Sequence, residues 1–267
     1  MWSVPVEFGR LTWREVARAA DEERVPIVPI GTLEDHGHHL PIDTDVTLVE
    51  AICRGAATRL ADETMLLPPI VHGYSPHHMD FPGTITIDWD TFCRYCTGVA
   101  LSLVRHGFRR VLLVNGPGSN QNLVDMAARL VMVEEPHSLV ASSFYLTSER
   151  SAQVIERVRD SDKGGMAHAC ELETSLYLHL HPEAVDIDAA VDEQGFPRTE
   201  NLWMDWSDGP LKLMPWWSSF SESGVQGDPS KATAEKGRAL FEAEVEEISG
   251  YVTDMRSLPL PDRKDHH

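Results

Sequence analysis

Two short runs, Val25-Pro26-Ile27-Val28-Pro29-Ile30 and Arg109 to Val114, restrict the possible folds of this chain more than any other feature. Each is six residues long, largely apolar and rich in branched side chains. Such a run reads as a strand buried on both faces. Further strands are expected at Met65 to Val71, Ile85-Thr86-Ile87 and Ser138 to Tyr145. Between them lie segments with apolar residues at helical spacing: Leu11 to Glu23, Asp45 to about Leu60, Thr91 to His106, Gln121 to Glu134 and Ser148 to Arg159. An apolar helix carrying Leu176, Leu178 and Leu180 and a closing amphipathic helix, Lys231 to Met255, complete the pattern. Strands alternating with helices predict an α/β fold with a mainly parallel sheet and helices on both faces.

The loops that leave those strands carry the chemistry. Gly31 to Asp45 packs three histidines and four carboxylates into fifteen residues, directly after the first strand. In α/β folds ligands bind beyond the carboxyl ends of the strands. Imidazole and carboxylate together are the donors that hold Zn, Mn or Fe. The plainer alternative is a solvated acidic loop with incidental histidines. Asp45 either caps the helix that follows or turns its carboxylate into the loop. A second loop, His72-Gly73-Tyr74-Ser75-Pro76-His77-His78, is again rich in histidine. A third, Asn115-Gly116-Pro117-Gly118-Ser119-Asn120, precedes a helix as a phosphate cradle would, but lacks the lysine and glycine spacing of a P-loop. A fourth polar stretch, Asp162 to Ser175, contains His168, Glu171 and Glu173.

Composition narrows the function classes. Lys plus Arg number 23 against 42 Asp plus Glu, a net charge of −19, which excludes nucleic acid or an anionic membrane surface as the main partner. Met1 to Glu7 has neither a basic start nor an apolar signal core, and no stretch is long enough to span a bilayer, so a cytoplasmic location is expected. Four cysteines in 267 residues do not make a disulfide framework, and Cys93 and Cys96 read as buried structural thiols. No linker or repeat divides the chain, so one domain over 1–267 is expected. Within it, about 195–228 places Trp203, Trp206, Trp216 and Trp217 in a stretch rich in Gly, Pro and Ser, which reads as a lid or a subunit contact.

Taken together, these loops resemble the creatininase family. Glu34 to Asp45 match its Glu-x-His-Gly-x-His-Leu-Pro-x-x-Thr-Asp pattern, and His77 to Thr84 match its His-rich loop and Phe-Pro-Gly-Thr. His168 to Ser175 match His-Ala-Gly-Glu-x-Glu-Thr-Ser, and Gly224 to Pro229 with Ala232-Thr233 match a closing Gly-Val-x-Gly-Asp-Pro. The resemblance spans most of the chain in order. It implies a three-layer α/β/α fold and a centre of one or two divalent ions, Zn, Mn or Fe. The implied activity is hydrolysis of a C–N bond in a small molecule, cyclic amide, N-formyl compound or short peptide. It implies Glu34, His36, Asp45 and Glu171 as metal ligands, with Asp45 bridging, and His168 and Glu34 as catalytic residues, His168 protonating the leaving nitrogen. It also implies a homo-oligomer, with hexamers frequent in the family.

One departure stands out. The histidine expected in the third loop is Pro117, which has no side-chain donor, and Ser119 lacks the carboxylate some members carry there. Either His38, His39, His72, His77 or His78 takes over, or a single ion remains at His36, Asp45 and Glu171. His39 more often supports the loop. Glu173 is expected either to orient a ligand or His168, or to be a helix surface charge. A degenerate, non-catalytic binding or scaffolding member is the rival reading that Pro117 raises.

Overall fold

The computed structural model describes residues 6–145 and 147–267. Met1 to Pro5, most of the stretch read for a signal core, lie outside them. In chain order the regular elements are α1 (Trp13–Asp21), β1 (Val25–Ile30), α2 (Thr44–Arg59), β2 (Thr64–Leu66), α3 (Trp89–Arg105), β3 (Arg110–Asn115), α4 (Gln121–Glu134) and β4 (Leu139–Phe144). There follow α5 (Glu149–Val158), β5 (Met166–His168), α6 (Glu171–Leu180), β6 (Gln226–Gly227) and α7 (Ala234–Ser257).

The main sheet runs β2-β1-β3-β4, and every pairing in it is parallel. Successive residues of the central strands face opposite cores. Ile27, Leu112 and Val114 pack with α2, α6 and α7 on one side. Val28, Ile30, Val111 and Leu113 pack with α1, α3 and α4 on the other. That accounts for the unbroken apolar runs, since neither face of these strands meets water. Each fully buried Ile or Leu contributes roughly 1.5–3 kcal/mol. The result is the three-layer α/β/α fold.

Three expected elements come out differently. β2 stops at Leu66, because Pro68 and Pro69 follow and proline has no N–H for the ladder. Ile85 to Ile87 forms only isolated bridges, Leu33 to Ile85 and Gly73 to Thr86. Two strands not expected at all, β5 and β6, pair antiparallel as a small second sheet that brings His168 against Gln226.

The chain passes from β1 outward to β2 and then returns to place β3 on the opposite side of β1. The loops after β1 and β3 therefore diverge at a topological switch point, with Ile30 and Asn115 in register at its lip. Over this edge fold residues 195–228, largely irregular. Asp205 pins the segment by accepting from Arg159 Nη1 at 3.0 Å and the Met166 backbone N–H at 3.1 Å. The Lys163 ammonium lies 3.5 Å from the centre of the Trp203 ring. On the far side, α6 and α7 approach so closely at Gly237 that a β-carbon there would sit 1.8 Å from the Ser175 carbonyl oxygen.

Candidate metal centre

Gly31 makes the geometry of the first loop possible. A β-carbon at this position would lie 2.6 Å from Val46 Cα, so the strand end runs directly beneath the start of α2 only because the side chain is absent. Asp45, in the first turn of α2, then points inward. Its Oδ2 accepts from Thr32 Oγ1 at 2.7 Å, while Oδ1 stands 3.6 Å from His36 Nε2. Of the two roles considered for Asp45, the structure shows the carboxylate turned into the loop. His36 is fully buried. Its Nδ1 lies 3.2 Å from the Glu34 carbonyl, which can only accept, so Nδ1 donates and Nε2 is the atom left to meet a cation, a second proton or a metal ion alike.

The third residue facing His36 Nε2 is Glu173, whose Oε1 is 3.9 Å away. His36, Asp45 and Glu173 each offer a donor atom within 4.8 Å of the others. Glu171, the residue expected here, is elsewhere. Its carboxylate pairs with Lys236 Nζ and accepts from the backbone N–H groups of Asp160 and Ser161, both at 2.9 Å. Two helical residues two apart point about 200° from one another, so α6 can present only one of the pair to His36. Lys236 of α7 claims the other. Pro117 and Ser119 line the neighbouring cavity and add no imidazole or carboxylate.

A second group adjoins the first. Glu34, His36 and His168 also offer mutually close donors, as do Asp35, His78 and His168. The His36 and His168 rings are 4.4 Å apart, and His78 and His168 are 4.6 Å apart. His78 Nδ1 lies 2.6 Å from Asp35 Oδ1, and its Nε2 lies 3.6 Å from Glu34 Oε1. His168 Nε2 donates to the Asp35 carbonyl at 2.8 Å, which leaves Nδ1 as its basic nitrogen. Trp217 stacks on His78 at 4.6 Å and meets His168 edge-on at 4.9 Å. Glu34, His36, Asp45 and His168 are thus brought together as expected. Of the candidate replacements for the missing histidine, His38 is exposed, His39 bonds Thr174 Oγ1 at 2.9 Å, and His78 alone is shown facing Glu34. Asp35 was not singled out, although it sits inside the matched motif beside His36.

The electrostatics call for a cation. Burial works against charge on His36, but the Asp45 and Glu173 carboxylates outweigh it and hold the imidazole well above its usual range. Burial raises Glu34, with His78 pulling the other way and Asp45 adding to the rise. Burial, then the neighbouring His36 and His78, push His168 well below its usual range and keep it neutral. Glu34 Oε2 and His36 Nε2 are buried without any hydrogen-bond partner. Unpaired groups of this kind are costly unless something occupies the space between them. Donors each about 2.1 Å from one ion lie roughly 3–3.5 Å apart, close to the separations seen here. The residues fit a divalent metal.

Above the cluster opens a cavity of about 580 Å³, bounded by Gly116 to Ser119, Phe144, Tyr145, Phe196 and much of the tryptophan-rich segment. Fold and site together define a class: an α/β/α protein with a buried carboxylate–imidazole centre at the switch point of its sheet. More narrowly, the chain belongs to the creatininase (creatinine amidohydrolase) family, whose model matches residues 9–252. The creatinine amidohydrolase of Pseudomonas putida is 29% identical over 94% of this chain and 98% of its own length. The mycofactocin precursor peptide peptidase of Mycobacterium tuberculosis is 31% identical over 88% of this chain and 86% of its own. A solved creatinine amidohydrolase superposes with a TM-score of 0.82 at 28% identity, covering 96% of this chain and 100% of that one. Two further solved creatininases, 28% identical with TM-scores of 0.79 and 0.78, are described as an Mn form and as a Zn-Zn form of a mutant; each match covers 94% of this chain and 98% of the other. The relatives are hydrolases.

Proposed function

We propose that this protein is a metal-dependent hydrolase of an amide-type C–N bond in a small molecule or short peptide. The observation that carries this reading is the convergence of His36, Asp45 and Glu173 on one buried point beside the unpartnered Glu34 Oε2, at the foot of a large cavity. Those three residues would hold the tighter ion. Glu34 and His78 would hold a second, weaker one, with Asp35 fixing the His78 ring as a carboxylate behind a metal-bound imidazole commonly does. His78 thereby supplies the nitrogen that Pro117 lacks.

A divalent ion such as Zn, Mn or Fe would supply a Lewis acid and a water whose pKa falls to about 7. The rest belongs to the chain. Glu34, desolvated and short of one partner, positions the attacking water. His168, held neutral and anchored through its Nε2–H, accepts a proton at Nδ1 and passes it to the departing nitrogen. Asp35 aligns both His78 and His168 from a single residue. The four cysteines are free and buried, which suits a reducing cytoplasm, and no helix among the described residues is long and apolar enough to cross a membrane. Exposed Trp216 would serve as a contact between copies in a homo-oligomer.

The test is metal analysis followed by a panel of cyclic amides, N-formyl compounds and short peptides. Glu34→Gln is expected to lower turnover by about 10²-fold or more. Undiminished turnover in that variant would overturn the site assignment. A protein that takes up no Zn or Mn, and whose thermal stability is unmoved by either, would instead favour a binding role.

A further inference from the structure

The cavity is larger than a cyclic amide of a single small ring requires. Volumes of roughly 300–1,000 Å³ accommodate drug-sized ligands, and this one holds about 580 Å³. Its two ends differ in chemistry. At the foot lie the carboxylates and imidazoles of the metal centre. Away from it the wall is Phe144, Phe196, Trp203, Trp206 and Leu211. The Pro117–Ser119 stretch also lines the cavity, and a β-carbon on the exposed Gly118 would meet nothing within 4 Å.

The charges along the upper wall are already paired. Asp205 is engaged by Arg159 and the Met166 N–H, and Lys212 Nζ lies 3.5 Å from Asp208 Oδ2. Among the described residues of the lining, Lys212 is the only Lys or Arg, set against the five carboxylates of Glu34, Asp45, Glu173, Asp205 and Asp208, so the wall is a poor host for an anionic group. Placing an anion beside aromatic rings without a partner is costly.

We infer that the substrate is an amide carrying a bulky, uncharged aromatic or apolar group, which lies against Trp203 and Trp206 in the cavity that the Pro117–Ser119 loop also lines. This rests on the hydrolase reading and adds the part of the substrate that does not react. The Pro117–Ser119 loop, which carries no imidazole or carboxylate, becomes part of the lining of a specificity pocket.

Isothermal titration of the zinc-loaded full-length protein with acetamide, 2-phenylacetamide, 2-(1-naphthyl)acetamide and 2-(4-sulfophenyl)acetamide tests the inference, alongside hydrolysis of each. The naphthyl amide should bind about tenfold or more tighter than acetamide, the sulfonated ring showing no such gain. Trp203→Ala and Trp206→Ala, which each remove an aromatic group from the cavity lining, should each erase most of the gain while zinc content stays unchanged. Equal affinity for acetamide and the naphthyl amide, tightest binding of the sulfonate, or a gain intact in both variants would overturn it. Turnover of acetamide with no preference for the larger amides would overturn the inference and leave the hydrolase reading standing. The full size preference with neither these amides nor the cyclic amides, N-formyl compounds and short peptides hydrolysed would uphold the pocket and overturn the hydrolase reading.

Discussion

Glu171 and Glu173 occupy the first turn of the same helix, both favoured there by the helix dipole, yet their surroundings are opposite. Glu171 is locked into an ion pair with Lys236, and Glu173 faces His36. Exchanging each for glutamine separates the two roles. Glu173→Gln is expected to weaken metal retention by at least about tenfold, as loss even of a supporting carboxylate does, with little change in apo stability. Glu171→Gln should leave metal content intact and lower stability by about 1–3 kcal/mol, read from urea denaturation of the metal-free protein. Metal analysis and the urea midpoint together check both. The sequence motif contains both glutamates and so identifies the helix turn but not its phase, which depends on where Lys236 of α7 docks some 65 residues later. Glu34, His36 and Asp45 were legible because one short loop holds them all. His78 was legible only as one candidate among five, since nothing local says which imidazole turns toward Glu34.

At the level of elements, the buried strands β1 and β3 and helix α4 were legible to within a residue or two, because continuous apolar runs and helical spacing are properties of the segment itself. β5 and β6 were not. They are three and two residues long, carry His168 and Gln226, and exist only because the two segments are brought side by side. A comparable long-range device holds α5. Glu247 of α7 accepts from the Thr147 N–H at 2.9 Å, the Ser148 N–H at 3.1 Å and the Tyr251 hydroxyl at 2.6 Å, capping the start of α5 from outside. Burial alone would raise this carboxyl, but Ser148, Ser151, Tyr251 and Thr147 together lower it below its usual 4.5. A depressed folded pKa means that this stabilisation is complete above about pH 4.5 and is lost as pH falls through the folded value. The urea midpoint should therefore decline from pH 5 toward pH 3, and decline less steeply in Glu247→Gln. Parallel slopes for the two proteins would count against the cap.

For the whole molecule, the net charge of −19 and the cluster of buried carboxylates favour the metal-loaded state. Binding to the folded state alone stabilises it by about 2.7 kcal/mol at a metal concentration 100 times the dissociation constant. Zinc or manganese should raise the melting temperature of the native protein, and that of Glu173→Gln by about half as much or less, as differential scanning calorimetry would show. The closure between Asp35 and His168 has a further, kinetic consequence. These residues are 133 positions apart, so the complete donor set exists only once a parallel sheet of slow, non-local pairings has closed. Unlike a zinc finger, whose metal drives folding outright, this chain gathers Glu34, His36 and Asp45 in one loop but completes the set only when Glu173 of α6 is packed beside them. Its ion would act as a latch fastened at the end: stopped-flow experiments should find unfolding slowed by metal while the refolding rate stays the same.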